Sequence, residues 1–151
     1  MPTIHLTTTI QAPIEKVFDA ARSIDLHQAS MLHTNEIAIA GITSGFINDG
    51  ETVTWQAKHF FATRTMTVQI TAMKPYSFFK DEMLKGDFKL MQHEHHFQSL
   101  IEGTEMKDVF HFESPYGKVG KLFNYLFLTN YMKKLLLQRN TIIKNEVERG
   151  F

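Results

Sequence analysis

The chain of 151 residues contains no cysteine. That excludes disulfides, thiolate nucleophiles and cysteine-ligated zinc, and it fits a cytoplasmic protein. Long apolar runs are also missing: none approaches the ~18 residues that a membrane-spanning helix needs. The opening, MPTIHLTTTI, has neither the basic region nor the apolar stretch of a signal peptide. Charge of one sign is not in excess, with 16 basic residues against 16 acidic ones. A balanced chain gives no electrostatic case for nucleic acid, which is bound by displacing counterions with a basic face.

What is abundant is phenylalanine (13), methionine (8) and histidine (8). Large, flexible apolar side chains suit an adaptable core or a cavity wall. A 43% hydrophobic, 21% charged composition at this length predicts one globular domain spanning residues 1–151.

Periodicity divides the chain in three. TIHLTTTI alternates, with Ile4, Leu6, Thr8 and Ile10 on one face of a strand. APIEKVFDAARS, with Pro13 at the first helical position, and SIDLHQASML predict two short helices. From about Glu36 to Phe112 the period is two. ETVTWQAKHF sets Val53, Trp55, Ala57 and His59 on one side, and TRTMTVQITA sets Met66, Val68, Ile70 and Ala72. One-sided burial of this kind marks an antiparallel sheet with one wet face. Pro75 is expected to open the strand YSFFKDEML, with Gly86 at its turn, and EGT (Glu102 to Thr104) to form a hairpin turn.

After SPYG the period becomes 3.6. Val119, Leu122, Phe123, Leu126, Phe127, Tyr131, Leu135, Leu136, Ile142, Ile143 and Val147 trace one stripe. A single helix over 118–149 would be roughly 48 Å long and would bury that stripe along the sheet. A sheet of this size curls because strands twist, which leaves space between sheet and helix.

In this order and spacing, IQAPIEKVFDAA, ETVTWQAKHF, DEMLKGDF, HEHHF, GTEMKDVFHFESPYG and the final helix with LLLQRN resemble the START-like superfamily. This is also called SRPBCC or birch-pollen-allergen-like, and the likeness is greatest to its small bacterial branch labelled polyketide cyclase/dehydrase-like or ligand-binding. The resemblance implies an α+β helix-grip: a curved seven-stranded antiparallel sheet wrapped around a long C-terminal helix, with two short helices after the first strand. It also implies a deep, largely apolar cavity. Hydroxylase relatives carry an iron–sulfur domain, which a chain without cysteine cannot hold. No cofactor is expected.

The segment MQHEHHFQ (Met91 to Gln98) carries the most chemistry. On a strand, His93, His95 and Phe97 share one face, and Glu94 and His96 the other. Phe88 and Leu90 fall in the opposite phase, so a bulge near Leu90 and Met91 is expected. Phe97 assigns His93 and His95 to the cavity, and leaves Glu94 and His96 as a solvated pair. With Ile101-Glu102 at the hairpin tip, His95 lies opposite Asp108 and Phe97 opposite Met106. A carboxylate beside an imidazole orients the ring and supports its charged form.

Asp81 and His59 share the same inward direction, so His59, Asp81, His93, His95 and Asp108 form a polar patch in an apolar wall. Trp55, Phe97, Phe110, Phe123, Phe127 and Tyr131 are the expected apolar wall. Arg139, in the polar gap between Leu136 and Ile142, is expected on the surface, with a salt bridge at the cavity's end as the alternative. The patch has four readings: the polar end of a ligand site, a self-satisfied hydrogen-bond network, a metal site on His93, His95 and Asp108, or acid–base chemistry. In the last, His95 with Asp108 is the base and His59 or His93 polarises a carbonyl. The spacing matches no defined metal motif, and no metal is expected. The sequence reading is a binder of a small hydrophobic molecule. A cyclase or dehydratase acting on a polyketide-like carbonyl compound and a protein-interaction module with an incidental cavity stand as rivals; the oligomeric state stays open.

Overall fold

The computed structural model describes residues 2–115 and 117–150, and leaves the side chains at 123 and 124 undescribed. The chain opens with β1 (Thr3–Ile10), followed by α1 (Ile14–Ala21) and α2 (Ile24–Ser30). Pro13 caps α1 rather than opening it, and the Ser23 hydroxyl caps α2 by accepting from the Leu26 amide at 3.1 Å. A short 3-10 turn leads to β2 (Ile37–Gly41), β3 (Thr52–His59), β4 (Ala62–Lys74), β5 (Phe78–Lys85), β6 (Leu90–Leu100) and β7 (Gly103–Glu113).

These strands form one seven-stranded antiparallel sheet in the order β1-β7-β6-β5-β4-β3-β2. β1 and β2 are opposite edges, so the two short helices carry the chain across the sheet. The expected strand faces are those observed: Val53, Trp55 and Ala57 of β3 are buried, as are Val68 and Ile70 of β4. Two boundaries move. Pro75 lies in a turn closed by Ser77 N–H to Lys74 O (2.8 Å), and β5 starts only at Phe78. No bulge interrupts β6, whose register with β7 runs unbroken from Leu90↔Glu113 to Leu100↔Gly103. Phe88 precedes the strand and packs on Phe112, which removes the phase conflict. At Gly103, φ is +121° and a Cβ would stand 2.4 Å from the Ile10 carbonyl oxygen, so the hairpin needs glycine there.

The C-terminal helix differs most from expectation. It runs as α3 (Gly117–Phe123), a π turn (Asn124–Leu128) and α4 (Thr129–Arg149). Each extra residue in a turn rotates the helix before it by about 100° relative to the helix after it. The stripe therefore breaks in two. Leu135, Leu136, Ile143 and Val147 are buried on the sheet side, while Val119 (75% exposed), Leu122, Leu126 and Phe127 face outward.

The β3–β4 hairpin turns on two residues, Phe60 and Phe61, both at positive φ (49° and 64°). That is the backbone of a primed turn, where Asn and Gly are usual. Phe60 is held by ring contacts to Tyr131 at 4.6 Å and Phe127 at 5.6 Å. The hairpin tip thus leans on the C-terminal helix.

Candidate functional site: a cavity with a buried histidine–aspartate cluster

Between the inner face of the sheet and α4 lies a cavity of about 490 Å³, within the range of small-molecule sites. Trp55, Val68, Phe79, Met91, Phe110 and Leu136 supply much of its apolar wall.

The polar patch is built by three adjacent strands. Alternation along β6 turns His93 and His95 inward, and sends Glu94 and His96 to the outer face, where they pair at 3.0 Å. The flanking strands β5 and β7 bring in one carboxylate each, with Asp81 opposite His93 and Asp108 opposite His95. The hydrogen bonds run along the other diagonal: His93 Nε2 lies 2.7 Å from Asp108 Oδ1, and His95 Nε2 lies 2.7 Å from Asp81 Oδ1. The imidazoles are tilted by 32° to one another with centroids 3.8 Å apart. Phe79 stacks on His95 at 4.1 Å, and Phe110 meets His93 edge-on at 5.2 Å.

The expected His95–Asp108 couple is thus not the bonded one. His95 Nδ1 is 3.5 Å from Asp108 Oδ1 and, among the described residues, is the buried side-chain nitrogen or oxygen left without a hydrogen bond. Side chains reach diagonally between neighbouring strands, so the residue directly opposite need not be the partner.

Asp108 does not reach the cavity. Its side chain is 0% exposed, and Asn140 Nδ2 donates to its Oδ2 at 2.7 Å. Arg139 Nη1 stands 3.6 Å from its Oδ1. Arg139 is therefore not on the surface but buried in an ion pair at the cavity wall, the alternative reading, and it also donates to Asn140 Oδ1 (2.8 Å) and the Ala21 carbonyl (3.3 Å). The sequence reading missed Asn140 altogether. Their spacing held the signal: 139 and 140 follow Leu136 by three and four residues and precede Ile143, inside the buried stripe.

Electrostatics follow from this packing. Burial works to raise the Asp108 carboxyl, but the hydrogen bond from His93, the close approach of His95 and the nearby positive charge of Arg139 outweigh it, and hold it well below the ordinary value. At Asp81, too, burial is opposed and outweighed by the His95 hydrogen bond and neighbouring charges, and the carboxyl is held low. Burial pushes the His93 imidazole down to about 4, helped by His95 and opposed by Asp108.

Other wall residues form separate pairs. His59 Nδ1 and Tyr131 Oη are 2.7 Å apart, and burial lowers the His59 pKa and raises that of Tyr131. His27 Nε2 and Glu36 Oε1 are 2.6 Å apart, with the His27 ring 4.4 Å from Trp55; this pair also escaped the sequence reading.

Of the expected wall, Trp55, His59, Asp81, His93, His95, Phe110 and Tyr131 line the cavity. Phe97 does not: it packs between Phe18 and Phe79, because α1 covers that end of β6. Phe127 is half exposed on the outside of the helix, turned out by the π turn. Phe123 lies outside the described side chains.

Asp81, His93 and His95 each place one ligand atom within 4.8 Å of the others, a spacing a metal could use. Both histidine Nε2 atoms are bonded to carboxylates, which leaves the two Nδ1 atoms and Asp81 Oδ2 as the atoms an ion would use. The geometry is that of a self-bonded network open to the cavity on one side.

A seven-stranded antiparallel sheet with a long C-terminal helix packed over a cavity is the helix-grip fold. Solved structures share it over nearly the whole chain. The Chromobacterium violaceum protein CV1439 is 15% identical, with a TM-score of 0.74 over 98% of this chain and 99% of that one. The Thermus thermophilus protein TTHA0849 is 16% identical, with a TM-score of 0.73 over 94% and 97%. Ginseng major latex-like protein 151 from Panax ginseng is 16% identical, with a TM-score of 0.69 over 96% of each. Identities this low carry the fold and not the ligand. No family model and no curated protein sequence matches the chain. Among the described residues no helix is long and apolar enough to cross a membrane.

Proposed function

We propose that this protein binds a small, largely apolar molecule in the cavity between sheet and helix, with Asp81, His93 and His95 at its polar end. The carrying observation is the cavity itself, about 490 Å³ with Trp55 and Phe110 in its wall. Binding is favoured over catalysis by the state of the cluster. A general base works best with a pKa near the working pH, and His93, pushed down to about 4, is a weak base at neutral pH. The expected His95–Asp108 base has no hydrogen bond joining its members. Native mass spectrometry of the purified protein, followed by extraction, tests the reading: an apolar compound retained at one per chain supports it. A chain that neither retains nor takes up such compounds would count against it.

A second reading, a protein-interaction module, has one observation in its favour. Val119, Leu122, Tyr125 and Leu126 are exposed together near Lys118 and Lys121, and Glu113 and Glu146 bracket a stretch without any acidic residue. Exposed apolar groups among basic ones suit an acidic protein partner. Leu122→Ser with Leu126→Ser separates the two: cavity binding stays within about two-fold of the unaltered protein if these side chains serve only a surface.

A further inference from the structure

The cavity's polar end carries a sign. Two carboxylates, Asp81 and Asp108, flank the imidazoles, and Arg139 is the guanidinium beside them. With His93 neutral, even a second proton on His95 brings this cluster only to zero charge. Every arginine in the wall already has a carboxylate of its own: Arg22 with Asp19 at 2.9 Å, Arg64 with Asp87 at 3.5 Å, and Arg139 with Asp108 at 3.6 Å. None is left over to meet an anion.

Outside the His59–Tyr131 pair, which keeps one donor, the groups that remain around Asp81 and His93 are acceptors. Asp81 lines the cavity with its side chain 17% exposed, and its hydrogen bond to His95 uses Oδ1 alone. Oδ2 keeps its lone pairs. A neutral His93 holds one proton, which Nε2 directs at Asp108, so Nδ1 is also a lone pair. Glu36, another wall carboxylate, is bonded to His27. A carboxylate facing an apolar space needs a donor to replace lost water.

We infer that the polar end of the ligand is a hydrogen-bond donor, a phenolic or alcoholic hydroxyl or an amine received by Asp81 Oδ2, and that carboxylate or phosphate head groups are rejected. This rests on the proposed binding function and narrows it. A fatty acid is then a poor ligand, while a phenol of the same apolar body is a good one. The discrimination is of the asymmetric kind: a misplaced anion meets like charge, whereas a donor completes an unsatisfied acceptor.

Calorimetric titration near neutral pH with para-butylphenol, para-butylbenzoate and butylbenzene tests it on the intact chain. The expected result is that the phenol binds at least about ten-fold tighter than the benzoate and tighter than the bare hydrocarbon. In Asp81→Asn, whose amide oxygen can still accept from His95, the phenol-to-benzoate ratio should fall to about three-fold or less, mainly through gain of the benzoate. Benzoate binding as tightly as phenol to the unaltered protein would overturn the inference and leave the cavity reading standing. Failure of all three compounds to bind would overturn both. Should Asp81→Asn fail to fold, the comparison on the unaltered protein decides alone.

Discussion

At the scale of single residues, Asp108 organises the cluster without touching the cavity. It accepts from His93 and Asn140 and stands beside Arg139. Asp108→Ala would leave a guanidinium buried without its counter-charge, and should cost about 3–5 kcal/mol, read as a lower urea midpoint. His93 gives a pH signature. Its folded value of about 4 lies below an unfolded ~6.5, so the unfolded chain takes up the proton first as pH falls. Stability should therefore drop from about pH 6.5 down to about pH 4, by on the order of 3 kcal/mol. The depressed Asp81 and Asp108 carboxyls add their own loss only below about pH 4, as they become protonated. Urea unfolding at stepped pH checks this, and His93→Gln should flatten the upper part of the slope. The sequence made it legible that His93 and His95 face inward, since alternation sets them on the face of Phe97, a residue large and apolar enough to mark the inner side. It did not reveal which aspartate each one bonds, because that depends on rotamers reaching across the register.

Among the secondary elements, two irregular places shape the helix side of the cavity. The β3–β4 hairpin turns on phenylalanines, and Phe61 is fully exposed at φ 64°. Phe61→Gly removes the strain of a left-handed bulky residue and loses no packing, so it should stabilise by about 1 kcal/mol. In a chain of this size that is a rise of roughly 2–4 °C in Tm, read by thermal melting. Nothing in the sequence announced a turn there, for HFFA has no glycine, asparagine or proline. The π turn was equally hidden. A stripe read at constant 3.6 spacing has no way to register one inserted residue, so the expectation puts Val119, Leu122, Leu126 and Phe127 inside. Arg139 went the other way: it stood in a polar gap of the stripe, and its charge argued for the surface. A carboxylate waiting below it reversed that argument.

For the whole molecule, the chain order of one strand, two short helices, six strands and a C-terminal helix was readable from periodicity, the helix-grip arrangement came with the resemblance, and the order of the strands in the sheet was not read. The cavity was implied by a sheet that curls away from one helix and by the resemblance. Its central claim has a built-in reporter: Trp55 is the single tryptophan of the chain and stands in the cavity wall. Titrating the protein with an apolar donor such as decan-1-ol while following Trp55 emission is the most direct measurement. Occupancy of the cavity should change the emission saturably, at one equivalent per chain, and the same addition should leave Leu122→Ser/Leu126→Ser unaltered in its response. Emission that does not change, or that drifts linearly without saturating, would contradict the account.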